Sequence, residues 1–167
     1  YKCEFRAQDD LKRRIDMNSN ETREKTATMM NELLANEFGL FTKTLNFHWN
    51  LTGPRFHALH KFLESQYREL LEMMDTFAER IRIMEMRPIG TVKEVFNQMS
   101  LEENSDKAMS SDTMLSTLYQ SHKKIEDRIT EMVEKKEFSK DPGTEDMLVE
   151  TLRKHEKMSW MIKSHLD

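Results

Sequence analysis

Cysteine, glycine and proline are scarce in this chain of 167 residues, and each shortage excludes a class of structure. The single cysteine, Cys3, cannot form an intrachain disulfide framework. Four glycines and three prolines leave few turn positions, so we expect helices with little or no strand. No apolar run approaches the roughly eighteen residues of a transmembrane helix, and the first residues lack the apolar segment of a secretory signal. We therefore expect a soluble, cytoplasmic protein that does not engage a membrane.

An excess of basic charge is also lacking, since 26 Lys and Arg face 30 Asp and Glu, for a formal net charge of −4. Affinity for DNA comes mostly from neutralising phosphates, so this charge argues against nucleic acid as a partner. Leu, Met, Glu and Lys are abundant instead, and all four favour helices. The 14 methionines are expected mainly to fill irregular gaps in a core.

Apolar side chains recur every three or four residues in four long segments, which predicts an all-α protein of one domain. Pro54 and Pro142 suit first helical turns, whereas Pro88 is a helix breaker. A short extra helix in the connection between the second and third long helices fits a four-helix bundle with one long crossover. The predicted elements are helix A (22–49), helix B (54–86), the short helix (91–99), helix C (111–135) and helix D (142–165).

The first 25 residues differ in composition from the rest of the chain. They carry seven basic and six acidic side chains and few apolar ones. A segment that cannot bury apolar surface tends to stay flexible. We therefore expect residues 1–25 to form a polar, flexible extension and residues 26–167 to form the bundle domain.

Five side chains of the kinds that bind transition metals occur within a short stretch of the chain. Imidazole and carboxylate together suit iron, manganese or zinc. At about 100° per residue, four of the five fall within roughly 100° of arc along the border of the apolar stripe of helix B. The fifth lies near the end of helix A, from where it can lean toward the start of helix B. The five candidates are His48, His60, Glu64, Asp75 and Glu79.

The spacing divides the candidates on helix B into two pairs. Eleven residues separate Glu64 from Asp75, which is roughly 16 Å along a helix, whereas metal–ligand bonds are only about 2 Å long. A two-fold axis near Leu70 would set the partner's Asp75 and Glu79 beside His60 and Glu64, giving two identical shared sites. Taken singly, each residue also has an ordinary interpretation as a core histidine or a solvated carboxylate. The residues alone leave both interpretations open.

Four stretches of the sequence closely resemble the Dps family, the starvation-induced mini-ferritins: HWN at 48–50, Gly53-Pro54, LHKFLESQY at 59–67 and DTFAERI at 75–81. The resemblance extends over about residues 26–165 and implies a ferritin-like four-helix bundle. It also implies that His48, His60, Asp75 and Glu79 are ligands of a ferroxidase centre shared across a two-fold dimer interface. The family usually has Asp where this chain has Glu64. Its longer side chain still reaches the site but can move the metal or bind it through both oxygens.

The resemblance further implies an enzyme that oxidises Fe(II) at a dinuclear centre and stores ferric mineral in a hollow homo-dodecamer. Hydrogen peroxide is the expected oxidant, with dioxygen as the other candidate, so the function would be iron storage and protection from oxidative stress. Zinc or manganese at the same residues stays open. The alternative is a DNA-binding, nucleoid-compacting cage with weak or no ferroxidase activity, against which the acidic pI and the balanced N-terminal charge count. The intrachain centre of ordinary ferritins is disfavoured, because no histidine has Glu three residues before it.

Four further residues could have functional roles, and for each the ordinary structural interpretation must be weighed. Trp49, adjacent to His48, would act as a radical sink for stray oxidising equivalents or would simply pack. Asp127, in an acidic stretch of helix C, would line a cation pore, as acidic residues near this bend do in Dps-like cages, or would be solvated surface. His122 and His155 lie on apolar stripes with no carboxylate partner in the pattern, so we interpret both as structural.

Overall fold

The part of the chain that the structure describes forms five α-helices joined by short turns and one long connection. The computed structural model describes the backbone of residues 2–103 and 109–166 and the side chains of residues 20–103 and 109–166. No strand occurs in these ranges, which confirms the all-α prediction, and none of the helices described is long and apolar enough to cross a membrane. The helices are α1 (Lys2–Asn50), α2 (Phe56–Ile83), α3 (Val92–Gln98), α4 (Ser111–Glu134) and α5 (Pro142–Lys163).

The first helix is longer than predicted. We expected a start near residue 22, but α1 begins at Lys2 and has 49 residues, which makes it about 73 Å long. No glycine or proline precedes Gly39, and the segment is rich in good helix formers, so no local signal stops the helix. The predicted boundary was therefore wrong, while the division into an extension and a bundle domain stays a prediction.

The other helices lie close to their predicted positions, and local chemistry explains their ends. Gly53 has φ +99°, a conformation that favours glycine, and its carbonyl accepts the Phe56 N–H at the start of α2. Thr91 and Glu94 form a reciprocal capping box at the start of α3. Asp141 caps α5, whose first residue is Pro142, as expected.

Two antiparallel helix pairs, α1 with α2 and α4 with α5, pack into a four-helix bundle, and α3 lies against α1. The four bundle helices share one apolar core, whose fully buried side chains include Leu33, Leu63, Phe77, Leu118 and Leu148. Every methionine with a described side chain is buried or partly buried. The methionines therefore do fill the interior.

Side chains of α1 hold the long connection that carries α3. Asn36 Oδ1 accepts the backbone N–H groups of Ser100 and Leu101 at 2.8 and 3.1 Å. Met99 packs directly over Gly39, where a Cβ would lie 2.2 Å from Met99 Sδ and the methionine would have to shift. The segment from α3 to Leu101 is thus held against α1.

The bundle interior contains a chain of three buried polar side chains. Nε2 of His155 lies 2.7 Å from Glu37 Oε1, and its Nδ1 lies 2.9 Å from Nδ1 of His122. All three residues are almost completely inaccessible to solvent. The two histidines occupy structural positions, as interpreted, but the expectation that they lack a carboxylate partner was wrong. Glu37 is supplied by α1, far away in sequence.

Candidate metal site

His48 and His60 meet where α1 ends and α2 begins, because the tight turn at Gly53 folds the two helices back on each other. Their rings stack with centroids 3.7 Å apart and planes inclined by 21°. His48 Nδ1 lies 2.9 Å from the carbonyl oxygen of His60, and His60 Nδ1 lies 3.0 Å from the carbonyl oxygen of His48. A carbonyl can only accept, so each Nδ1 carries the proton and donates it. Both Nε2 lone pairs are therefore free to bind a metal, the tautomer that metal-binding histidines usually adopt.

Neighbouring aromatic side chains hold this histidine pair in place. Tyr67 presents its ring edge-on to His48 at a centroid distance of 5.3 Å, and Phe56 packs on His60 at 4.9 Å. His48 is buried and His60 is partly buried. The two imidazoles are thus oriented by packing as well as by hydrogen bonds before any metal arrives.

Glu64 lies one helical turn after His60 on the same face of α2. Its Oε1 accepts from Arg68 Nη2 at 2.6 Å, and its Oε2 accepts from Lys61 Nζ at 3.3 Å. These two bonds, first that of Arg68 and then that of Lys61, lower the pKa of Glu64. The bond between Arg68 and Glu64 also raises the pKa of Arg68. The site thus contains a carboxylate that is ionised at neutral pH and already paired with two cations.

Asp75 and Glu79 lie further along α2, where both are exposed. Neither forms a hydrogen bond or ion pair with another described residue. Asp75 borders a surface groove of apolar side chains that includes Leu71, Met74 and Val95. Within the described part of one chain, no group of three or more His, Cys, Asp or Glu side chains is placed to hold a metal ion. One protomer therefore brings together His48 and His60, with Glu64 one turn further along α2, but does not assemble a metal site from its own described side chains.

Trp49 and Asp127 lie at the surface. Trp49 follows His48 and is 68% exposed, with no ring contact to another described aromatic side chain. Asp127 is exposed on α4 and borders a polar groove with Lys124, Arg128 and Glu131. Its neighbour Glu126 is buried and paired with Lys123. The roles predicted for Trp49 and Asp127 stay predictions.

Sequence reasoning missed three side chains around the site: Lys61, Tyr67 and Arg68. The spacing of Lys61 and Arg68 from Glu64, three and four residues, is the usual signal for ion pairs on a helix, so they could have been found. Tyr67 is one of the apolar side chains that recur every three or four residues along α2, and that pattern by itself predicts only packing. Its contact with His48 depends on how α1 and α2 pack, which spacing along one helix does not specify.

Comparisons with known proteins assign both the fold and the family. The ferritin-like domain matches residues 27–167, so the five helices form a ferritin-like protein. The chain is 30% identical to a DNA protection during starvation protein of Helicobacter pylori over 85% of this chain and 99% of that one. It resembles the crystal structure of Dps from Staphylococcus aureus with 32% identity and a TM-score of 0.79, covering 84% of this chain and 94% of that one.

A third relative is the Dps protein of Vibrio cholerae O1, described as a member of a broad superfamily of ferritin-like diiron-carboxylate proteins. Its structure matches with 26% identity and a TM-score of 0.82, over 88% of this chain and 92% of that one. The chain belongs to the Dps family of ferritin-like proteins. The resemblance of the sequence motifs is thereby confirmed.

Proposed function

We propose that this protein binds iron(II) between pairs of subunits, oxidises it and stores the ferric product. The observation that carries the proposal is the stacked pair of His48 and His60, because both imidazoles keep a free Nε2 lone pair. Glu64, one turn away, adds an ionised carboxylate. Imidazole with carboxylate is a donor set that suits iron. The description of the Vibrio cholerae relative as diiron-carboxylate supports the same metal.

The proposal requires a second copy of the chain, since one protomer supplies three of the five donors of each site and its partner supplies the other two. Asp75 and Glu79 have no partner in their own chain and lie beside an apolar groove in which Leu71 is 51% exposed. Val92 and Phe96 of α3 are also exposed, at 78% and 66%. A two-fold contact across this face would bury these apolar side chains and bring the partner's Asp75 and Glu79 to His60 and Glu64. The shared site would then hold three carboxylates and two neutral imidazoles.

The chemistry follows from this donor set, with iron as the substrate. Two iron(II) ions at one site each give one electron to hydrogen peroxide, whose O–O bond breaks, and two protons complete two water molecules. Anionic carboxylate oxygens favour the more highly charged ferric ion, so the site lowers the free energy of the product relative to iron(II). Ferric ions would leave for the interior of a dodecameric cage, and Asp127 is the candidate for the cation entry path. Trp49 is the candidate sink for stray oxidising equivalents.

The test begins with anaerobic titration of the assembled protein with iron(II), followed by peroxide, with particle mass measured on the same sample. His60→Ala and Asp75→Ala should each abolish rapid iron oxidation while the protein stays helical and assembled. His57→Ala is the matched control, because His57 is an exposed histidine of the same helix outside the proposed site. Mixing the His60 and Asp75 variants should restore part of the activity through hybrid dimers. No recovery in proven hybrids would contradict a site shared between subunits.

The second candidate is a cage that mainly binds DNA, which the name of the Helicobacter pylori relative favours. The formal charge of −4 counts against it. A gel-shift assay at low and moderate salt separates the two functions. Strong, salt-sensitive retention of DNA together with no iron uptake would favour this candidate over the ferroxidase.

A further inference from the structure

We propose that Lys61 and Arg68 are resident cations that hold Glu64 before iron arrives and that iron must displace to bind. This inference rests on the proposed function of the site, because Glu64 is one of the proposed iron ligands. Lys61 and Arg68, which are not ligands themselves, would then control the affinity of the site for metal.

The contacts of Glu64 show that both of its carboxylate oxygens are already engaged. Arg68 Nη2 lies 2.6 Å from Oε1, and Lys61 Nζ lies 3.3 Å from Oε2. Because both cations are on α2 itself, three residues before and four residues after Glu64, the arrangement needs no other part of the protein. It can therefore form together with the helix, before any metal is bound.

The exposure of the three side chains indicates which of them moves. The side chain of Glu64 is 24% exposed, whereas those of Lys61 and Arg68 are each 66% exposed. The two cations can swing into water and regain full hydration, while the less exposed carboxylate stays on the face of α2 that carries His60, one turn away. A divalent ion bound to Glu64 and the imidazoles would repel both cations at short range, so loading and release are coupled.

The exchange has two consequences for function. A monovalent ion offers Glu64 no more charge than Lys61 or Arg68 already does, so these two residues make the site favour divalent over monovalent cations.

The second consequence concerns the dimer. In a lone subunit, two cations face one carboxylate, so an arriving metal meets no net negative charge near the histidines. The partner's Asp75 and Glu79 would reverse that balance, which confines tight iron binding to the assembled dimer.

The test measures metal binding without oxidation, by anaerobic titration of the assembled protein with cobalt(II) followed by its visible absorption. Arg68→Gln should tighten the dissociation constant for cobalt(II) by about two- to fivefold, the range expected for losing one exposed ion pair. Lys61→Gln should act in the same direction with a smaller effect, since its contact is longer. Lys157→Gln is the matched control: it removes one positive charge from an exposed lysine that does not contact Glu64.

A double-mutant cycle separates this exchange from a general effect of charge. In a Glu64→Gln background, Arg68→Gln should no longer tighten the binding of cobalt(II), because there is no carboxylate for the missing cation to release. An equal benefit in that background, an equal benefit from Lys157→Gln, or no change in Arg68→Gln would each overturn the inference while leaving the ferroxidase proposal intact. Failure of the unaltered protein to bind cobalt(II), by contrast, would remove both.

A crystal soaked with zinc gives a second, independent measurement, which holds even if Glu64→Gln binds too weakly to titrate. The expected result is a Glu64 oxygen on the ion, with Lys61 and Arg68 turned into solvent. An occupied site with Arg68 still bonded to Glu64 would overturn the inference.

Discussion

Replacing His155 with leucine tests how the bundle tolerates buried polar groups. His155 links Glu37 to His122 in the interior, and all three side chains are almost fully buried. Leucine has a similar volume, so His155→Leu opens no large cavity. It leaves Oε1 of Glu37 without its partner, in a carboxyl group whose Oε2 already has no hydrogen bond to another described residue. Nδ1 of His122 loses its partner as well.

The expected loss of stability is about 4 kcal/mol, the usual range for breaking a buried pair by removing one member. For a chain of this size, 1 kcal/mol changes Tm by roughly 2 to 4 °C, so Tm should fall by roughly 8 to 16 °C. The assay is thermal unfolding followed by far-UV circular dichroism. Protein concentration must be equal in all samples, because assembly adds to apparent stability.

A second variant makes this prediction refutable. Glu37→Leu/His155→Leu removes both partners, so no carboxylate is left buried alone, and it should be more stable than His155→Leu by about 2 kcal/mol or more. The reasoning is refuted if His155→Leu lowers Tm by less than about 3 °C. It is equally refuted if the double variant is less stable than the single one.

Three further predictions concern other parts of the molecule. Burial, and then the neighbouring His155, hold the pKa of His122 well below its usual range. As pH falls, His122 therefore takes up a proton in the unfolded chain before it does so in the folded protein, and stability should fall as pH drops below about 6.5. Urea unfolding midpoints measure this loss, and they should decline less steeply with falling pH in His122→Gln. Glu64→Asp should alter the rate of iron oxidation or the number of ions bound per subunit, and unchanged values in iron titrations would show that Glu64 is not a direct ligand. Gly39→Ala should raise Tm less in the unaltered protein than in a Met99→Ala background. Alanine is favoured in helices by about 1 kcal/mol, but its Cβ would meet the side chain of Met99, which must move aside. An equal rise in both backgrounds would contradict the packing argument.

Much of the fold could be predicted because the chain signals its elements locally. The first-turn residue Pro142 and the breaker Pro88 mark helix ends that the structure confirms within a few residues. The start of α1 was missed for the same physical reason, since charged helix formers without glycine or proline give no stop signal. Local chemistry predicts where a helix ends only if the chain contains residues that end it.

The site was predictable to the extent that it depends on one helix. The order of His60, Glu64, Asp75 and Glu79 along α2 sets the distance between the two pairs, and the structure adds nothing to that argument. What could not be predicted depends on packing between helices. The exchange of hydrogen bonds between His48 and His60 and the contact of Tyr67 with His48 require the angle at which α1 meets α2. The pairing of His155 with Glu37 joins positions 118 residues apart.

The buried hydrogen-bonded side chains of Glu37, His155 and His122 also suggest why the candidate metal site is at a subunit surface rather than inside the bundle. Ferritin-like carboxylate proteins commonly place their metals between the helices of one bundle. Here that interior holds His122 and His155, whose Nδ1 atoms are 2.9 Å apart and bonded to each other. Two nitrogens on one tetrahedral ion stand roughly 3.3 Å apart at bond lengths near 2.05 Å, with both lone pairs pointing at the ion. The interior pair therefore shares a proton where a metal would need open lone pairs, whereas His48 and His60 turn their protons to backbone carbonyls and keep both Nε2 atoms free. The Nδ1 atoms of the interior pair thus face each other, whereas those of His48 and His60 face carbonyl oxygens, and this difference makes His48 and His60 the better candidates for binding a metal.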